Sequence, residues 1–125
     1  MTQTHDAESR SDPAEPLQWS IVSSQRETAV AVVGEVDLAT ADALSRVLEK
    51  AMEGRPGRLA VDVGGVSFLD STGIRCFVSA SRKGAEIGCE VVVRNPTAAI
   101  SRIFEICGVD KILLEDVDRD ATQGR

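Results

Sequence analysis

Aromatic side chains are scarce in this sequence of 125 residues, which has no tyrosine, one tryptophan and three phenylalanines. Because proteins hold single-stranded nucleic acids largely by stacking bases on aromatic rings, the shortage argues against a surface of that kind. The formal net charge of −6 argues in the same direction, since an acidic protein repels nucleic-acid phosphates and anionic lipid headgroups. We therefore expect neither nucleic acid nor membrane as a partner.

Histidine is almost missing as well, and the single example is His5 in the polar N-terminal stretch. Ser–His and Cys–His catalysis and most transition-metal sites therefore lack a base or a ligand. The sequence also has no glycine-rich nucleotide-binding loop of either common pattern. Carboxylate pairs at Glu35/Asp37 and Asp62/Asp70 leave an enzyme built from carboxylates and hydroxyls open, but strand ends and helix caps explain them better. We expect no enzyme, no cofactor and no metal.

The three cysteines, Cys76, Cys89 and Cys107, are odd in number and show no C-x-x-C spacing. They predict neither a disulfide framework nor a zinc site, and each lies in an apolar run, which is typical of small buried residues in a reducing compartment. No apolar stretch approaches the ~18 residues that span a bilayer. The polar N-terminus also lacks the apolar core of a signal peptide, so we expect a cytoplasmic protein.

Strand and helix patterns alternate along the chain in the order β-β-α-β-α-β-α-β. Alternating or valine-rich runs predict strands at 17–21, 28–33, 59–69, 89–93 and 111–114. Apolar residues at helical spacing predict helices that begin near Thr40, Ser71 and Asn95-Pro96. This order favours an α/β fold: a mostly parallel mixed sheet of four to five strands, antiparallel at its start, covered by about three to four helices.

The chain ends differ in composition from its centre. Residues 1–15 are polar, with too little apolar surface to offset the entropy of ordering, and they predict a disordered tail. We place one folded domain at residues 16–118, followed by a frayed C-terminus at 119–125. Deleting residues 1–12 is accordingly expected to leave thermal stability unchanged.

The strongest local pattern is Val66 to Ile74, with the sequence VSFLDSTGI. It places the hydroxyls of Ser71 and Thr72 at the start of a helix, directly after a buried strand. Such turns lie at the carboxyl edge of the sheet, where α/β proteins place their binding sites. A phosphate on Ser71 would there meet unpaired backbone N–H groups and the positive end of the helix dipole. The alternative is that Asp70 or Ser71 merely caps the helix, which stabilises it by about 1 kcal/mol.

Three spaced segments together resemble the STAS family and, more narrowly, bacterial anti-sigma factor antagonists. They are Gly34 to Asp37, Val66 to Ile74, and a helix that begins at Asn95-Pro96 and ends at Ile106 to Val109. The resemblance covers residues 17–115 and implies a STAS-like fold. It also implies a partner-switching module that controls sigma-factor-dependent transcription.

In such proteins, the first hydroxyl after the aspartate is phosphorylated by a serine/threonine kinase that is also an anti-sigma factor. Matched residue by residue, that hydroxyl belongs to Ser71, flanked by Asp70, Thr72 and Gly73, and Asp37 would help to form the docking surface. The resemblance implies that the unphosphorylated protein binds the kinase and releases the sigma factor. Phosphorylation ends the binding, and a serine phosphatase resets the protein.

One residue departs from the family pattern. After Gly-Ile the family often has a small residue, whereas this chain has Arg75. Because i and i+4 side chains are neighbours on a helix, Arg75 is expected to reach a phosphate on Ser71 and to join the docking surface; the alternative is a solvated helix face. A STAS scaffold or regulatory subunit of a stress complex or transporter stays open as a second function, and so does the oligomeric state.

Overall fold

The structure is a computed structural model, and it describes residues 7–115. These residues form five strands and four helices, so the predicted α/β class is confirmed. The elements are β1 Ala7–Arg10, β2 Gln18–Ser23, β3 Glu27–Val36, α1 Ala41–Met52, β4 Arg58–Leu69, α2 Ser71–Ile87, β5 Glu90–Arg94, α3 Ala98–Ile106 and α4 Asp110–Leu113.

The strands form one sheet in chain order, from β1 to β5. The pairs β1–β2 and β2–β3 are antiparallel, and the pairs β3–β4 and β4–β5 are parallel, which confirms a mixed sheet with an antiparallel start. Helices α1 and α2 are the crossovers that parallel neighbours require. Because β3 and β4 run in the same direction, their carboxyl ends meet at one edge of the sheet, where Val36 lies opposite Leu69.

The helices cover one face of the sheet with their apolar sides. Helix α1 buries the residues that helical spacing predicted: Leu44, Val47, Leu48 and Ala51. The ring of Phe77 on α2 lies 5.8 Å from that of Phe104 on α3, and complete burial of such side chains stabilises the fold by about 1.5–3 kcal/mol each. At the margin of this core, the Lys50 ammonium lies 5.4 Å from the centre of the Trp19 ring. No helix within residues 7–115 has the length and apolar character to cross a bilayer.

The opposite face of the sheet carries a charged network. Arg94 on β5 donates to Glu115 (Nη2–Oε2, 2.8 Å) and to Glu27 on β3 (Nη1–Oε2, 3.2 Å), and Arg58 on β4 lies 3.6 Å from Glu115. Glu27 and Arg94 lie on either side of β4, so the guanidinium bridges across that strand. The hydrogen bonds from Arg94 hold the pKa of Glu115 below its usual range. The hydrogen bonds that Arg94 donates to Glu115 and Glu27 raise the pKa of its guanidinium above the ordinary arginine value.

Strand β1 corrects the prediction that residues 1–15 form a disordered tail. Ala7–Arg10 pairs with β2, and the residue that follows, Ser11, is buried. The Ser11 hydroxyl accepts a hydrogen bond from the Trp19 backbone N–H at 2.9 Å and donates to Gln18 Oε1 at 3.1 Å. An edge strand held by backbone hydrogen bonds needs few apolar side chains, so the composition of residues 1–15 gave no sign of a strand. The sheet thus begins before the predicted domain start at residue 16, while residues 1–6 and the predicted frayed end at 119–125 lie outside the described residues.

The predicted last strand at 111–114 is also wrong for most of its length. Asp110–Leu113 is the short helix α4, and only Leu114 forms a parallel bridge, with Val93 of β5. The backbone N–H of Leu113 donates to the Val109 carbonyl and that of Leu114 to the Asp110 carbonyl, as expected for a helical turn. A run of three apolar residues, Ile112 to Leu114, suits a helix and a strand equally well, so the pattern alone did not decide between them.

Two smaller predictions also need correction. Thr97, rather than Asn95, caps α3, because its hydroxyl accepts a backbone N–H of the first turn, while Asn95 has a left-handed backbone (φ +59°). Cys76 and Cys89 are buried as predicted, and burial raises the pKa of the Cys89 thiol. Cys107 is exposed where α3 ends, contrary to the prediction.

Candidate functional site

The turn between β4 and α2 contains most of the predicted site residues. Asp70 is the N-cap of α2 with an extended backbone, and the helix begins at Ser71. Asp70 Oδ1 accepts hydrogen bonds from the backbone N–H of Thr72 at 2.9 Å and of Gly73 at 3.3 Å. The carboxylate thus satisfies two N–H groups that a helix start leaves unpaired, and its charge suits the helix dipole.

This cap corrects in part the expectation that a phosphate on Ser71 would meet unpaired N–H groups. The N–H groups of Thr72 and Gly73 already bind the Asp70 side chain, and that of Ile74 donates to the Asp70 carbonyl at 3.1 Å. Ser71 itself is exposed. The sequence allowed either a helix cap or a phosphorylation site at this turn. Asp70 is the cap, and the exposed Ser71 is left as the candidate for phosphorylation.

A second loop, which follows β3, lies beside this turn. The Val36 carbonyl accepts a hydrogen bond from the Asp70 backbone N–H at 3.3 Å and so joins the two loops. Asp37 Oδ1 accepts from the backbone N–H groups of Ala39 at 3.0 Å and Thr40 at 3.2 Å, which is a turn typical of aspartate. The structure thus brings Asp37 and Asp70 to the same edge of the sheet, in agreement with the neighbouring position that the family resemblance implied for Asp37.

The buried side chain of Thr40 fixes the Asp37 loop by hydrogen bonds, a role that sequence reasoning missed. It occupies the N-cap position of α1 as predicted, but its side chain makes no capping hydrogen bond. Its buried hydroxyl donates to the Glu35 carbonyl at 2.8 Å and accepts from the Asp37 backbone N–H at 3.0 Å. In the sequence, the only signal for this role is a threonine three residues after Asp37.

Gly73 allows α2 to pack closely against the ends of β3 and β4. A Cβ atom at this position would lie 2.7 Å from Val36 Cγ1 and nearer still to Leu69 Cδ1. Glycine is required here because there is no room for a methyl group. Gly73 is buried, so it lies beneath the surface that its neighbours form.

The exposed side chains at this edge are of three chemical kinds. Ser71 carries a hydroxyl, and Arg75, one turn along α2, makes no ion pair with any other residue in the range 7–115. Leu38, next to Asp37, is 80 % exposed, and Phe68, three residues before Ser71, is 47 % exposed. Sequence reasoning assigned no role to these two apolar residues, because large apolar side chains are usually buried. We call Asp37, Leu38, Ser71 and Arg75 the edge surface.

Comparison with known proteins identifies the family. A family model described as "Mlab, STAS domain" matches residues 19–115. The chain belongs to the STAS domain family. The matched residues run from β2 to the end of α4 and include both loops of the edge surface, so the resemblance predicted from three spaced segments is confirmed.

This STAS domain is 32% identical to the anti-sigma-B factor antagonist of Listeria monocytogenes over 100 residues, which are 78% of this chain and 88% of the relative. The structure of an anti-sigma factor antagonist from Mycobacterium paratuberculosis is 29% identical and superposes with a TM-score of 0.66, covering 90% of this chain and 97% of that one. The anti-sigma factor antagonist SpoIIAA is similar in fold, at 14% identity. Its unphosphorylated form superposes with a TM-score of 0.65 over 94% of each chain, and its phosphorylated form with 0.58 over 95% of this chain and all of that one.

Proposed function

We propose that this STAS domain is an anti-sigma factor antagonist, which acts in the cytoplasm by binding a partner protein rather than by catalysis. The observation that carries the proposal is the exposed hydroxyl of Ser71 on the first residue of α2, in a chain whose relatives of about 30% identity are antagonists of this class. These similarities do not favour the alternative of a scaffold or transporter subunit.

The partner in this proposal is an anti-sigma factor that is also a serine/threonine kinase. Binding of the edge surface, flanked by Asp70 and Thr72, occupies the partner, which then releases its sigma factor. The partner transfers the terminal phosphoryl group of ATP to Ser71 Oγ, which loses its proton as the O–P bond forms and ADP leaves. A serine phosphatase hydrolyses the phosphate and restores binding.

The switch acts through charge. A phosphoserine carries about −1.5 to −2 at neutral pH, and it would add to the negative charge of Asp70, the preceding residue, and of Asp37 on the adjoining loop. At ~5 Å and an effective dielectric constant of ~20, each additional like-charge contact across the interface costs on the order of 3 kcal/mol, or about a hundredfold in affinity. The capping of α2 by Asp70 supports this, because the N–H groups that would otherwise neutralise the phosphate are already bound.

Titration calorimetry with the purified anti-sigma kinase tests the proposal. Ser71→Ala should bind whether or not ATP is present, whereas Ser71→Asp should bind at least about tenfold more weakly, since it adds a smaller charge than phosphate. Ser79→Asp is the matched control, because Ser79 is an exposed serine two turns further along α2, and it should bind like wild type. Equal affinities of wild type and Ser71→Asp, or of the phosphorylated and unphosphorylated protein, would contradict the switch.

A further inference from the structure

Leu38 stands out among the exposed apolar side chains. Its 80 % exposure is the highest of the large apolar residues within 7–115. It contributes almost nothing to the core, and an exposed leucine increases the risk of non-specific association. A residue of this kind on an ordered loop suggests contact with another molecule.

The loop that carries Leu38 is fixed on both sides of it. On the side that precedes Leu38, the Asp37 backbone N–H donates to Thr40 Oγ1 at 3.0 Å. On the side that follows, the N–H groups of Ala39 and Thr40 donate to Asp37 Oδ1, and that of Ala41 donates to the Asp37 carbonyl at 2.9 Å. Leu38 is thus held outward before any partner binds. Binding through a side chain on such a loop loses less conformational entropy than binding through a mobile one.

Leu38 is also close to the residue that the proposed kinase must reach. The carbonyl of Val36 accepts the backbone N–H of Asp70, which places the chain two residues before Leu38 against the chain one residue before Ser71. A kinase that takes Ser71 into its catalytic cleft therefore covers the adjacent loop. Leu38 would offer that kinase an apolar side chain, in contrast to the nearby carboxylates of Asp37 and Asp70.

We propose that Leu38 is the apolar anchor of the interface with the anti-sigma kinase, and that the kinase has an apolar pocket beside the cleft that accepts Ser71. Thr40 is the positioning residue that keeps the anchor in place. This inference rests on the proposed function and assigns part of the binding energy to a side chain that takes no part in the phosphoryl transfer. Complete burial of a leucine corresponds to about ten- to hundredfold in affinity.

The test is the affinity of the purified kinase, with ADP bound, for Leu38→Ser. We expect binding about ten- to hundredfold weaker than wild type, and Leu38→Met, which retains the apolar volume, should stay within about threefold. Ile106→Ser and Ile112→Ser are matched controls, since these residues are 74 % and 70 % exposed on α3 and α4. Both controls should bind like wild type, and all four variants should keep the wild-type melting temperature. Unchanged affinity of Leu38→Ser, or an equal loss in the controls, would overturn the anchor.

Thr40 is tested by two substitutions of different chemistry. Thr40→Val keeps the shape but loses both hydrogen bonds, and it should raise the exchange rate of the Ala39 and Thr40 amides and weaken kinase binding several-fold. Thr40→Ser keeps the hydroxyl and should restore both properties. If Thr40→Val lowers only the melting temperature and the folded variant binds normally, the residue is structural and the positioning role is wrong.

The Ser71 variants separate this inference from the function on which it rests. If Ser71→Asp binds the kinase as tightly as wild type, the proposed switch itself is wrong. If Ser71→Asp weakens binding and Leu38→Ser does not, the switch stands and the anchor alone is refuted.

Discussion

At the first turn of α2, the Asp70 carboxylate binds the N–H groups of Thr72 and Gly73, so these two donors are not free to bind a phosphate on Ser71. A cationic side chain nearby would therefore add to the stabilisation of a phosphate on Ser71. Arg75 lies one turn further along the same helix, and a guanidinium pairs with a phosphate through two charge-assisted hydrogen bonds. Arg75 is thus the cationic side chain that we expect to pair with this phosphate.

We expect Arg75→Gln to be dephosphorylated about two- to fivefold faster than wild type, because an exposed ion pair is worth up to about 1 kcal/mol. Release of phosphate from the purified phosphoprotein by a fixed amount of phosphatase measures this rate. Arg82→Gln, which removes another exposed arginine of α2 far from Ser71, should behave like wild type. Identical rates for all three proteins would leave Arg75 as a residue of the solvated face.

Gly73 gives a second prediction at the scale of one residue. Gly73→Ala should lower the free energy of unfolding by about 1–3 kcal/mol, because the added methyl group overlaps Val36 and Leu69. Gly54→Ala is the control, since a Cβ there meets no atom within 4 Å. Urea unfolding of both variants measures the difference. A Gly73→Ala protein as stable as wild type would mean that α2 shifts away from the strands without cost.

At the scale of elements, the patterns predicted best where burial is periodic. Leu44, Leu48 and Ala51 on α1 repeat at helical spacing, and the structure buries all three. The turn from β4 to α2 was predicted at its true place because an apolar strand, an aspartate and a glycine follow one another there. By contrast, β1 is polar and edge-paired, so its sequence carried no apolar period, and the four residues of α4 were too few to show one.

The site was only partly predictable for a related reason. The turn at Ser71 was expected at the carboxyl edge of the sheet, where strand-to-helix turns lie, and Asp37 was expected beside it because of the family resemblance. The hydrogen bonds of Thr40 and the exposure of Leu38 depend on three-dimensional contacts that no periodicity reports.

Strand β1 reverses the expected effect of a deletion. Removing residues 1–12 should lower the melting temperature by several degrees, because it removes the pairing with β2 and the hydrogen bonds of Ser11 to Gln18 and Trp19. Differential scanning calorimetry measures the change. A shorter deletion of residues 1–6 retains β1 and serves as the control. Equal melting temperatures of the two truncated proteins would show that β1 adds no stability.

The Arg94 network gives a prediction for acid. Arg94→Gln should lower the free energy of unfolding by about 1–2 kcal/mol at neutral pH, because two half-buried carboxylates lose a charged donor. The pKa of Glu115 is lowered in the folded protein, so this stabilisation is complete above the ordinary glutamate value of about 4.3 and is lost as pH falls through the lower folded value. Urea unfolding from pH 3 to 7 should therefore show the two proteins converging in acid. A constant difference would indicate that the role of Arg94 is not electrostatic.

At the scale of the whole molecule, the edge surface is separate from what holds the fold together. Ser71 and Leu38 are exposed, while the core lies between the sheet and the helices. A charge added at Ser71 therefore changes the surface that a partner meets without disturbing the packing beneath it.

We accordingly expect Ser71→Asp to keep the melting temperature within about 2 °C of wild type, as is usual for surface substitutions. Its backbone amide shifts in nuclear magnetic resonance should stay within the Asp37 loop and the first turn of α2. The unsubstituted protein at the same pH and salt concentration is the reference. Shifts that spread through β1 or α3 would show that the switch changes the fold rather than the surface.

The position of Trp19 has an optical consequence. It is the single tryptophan of a chain without tyrosine, so the tryptophan fluorescence of the protein comes from one ring. That ring lies on β2 beneath the Lys50 ammonium of α1, and its backbone is bonded to Ser11 after β1. The emission wavelength of the unlabelled protein therefore reports whether these three elements remain together. Detachment of β1 or α1 should expose the ring to water and shift the emission maximum to longer wavelength. A change confined to the start of α2 should leave the emission maximum where it is.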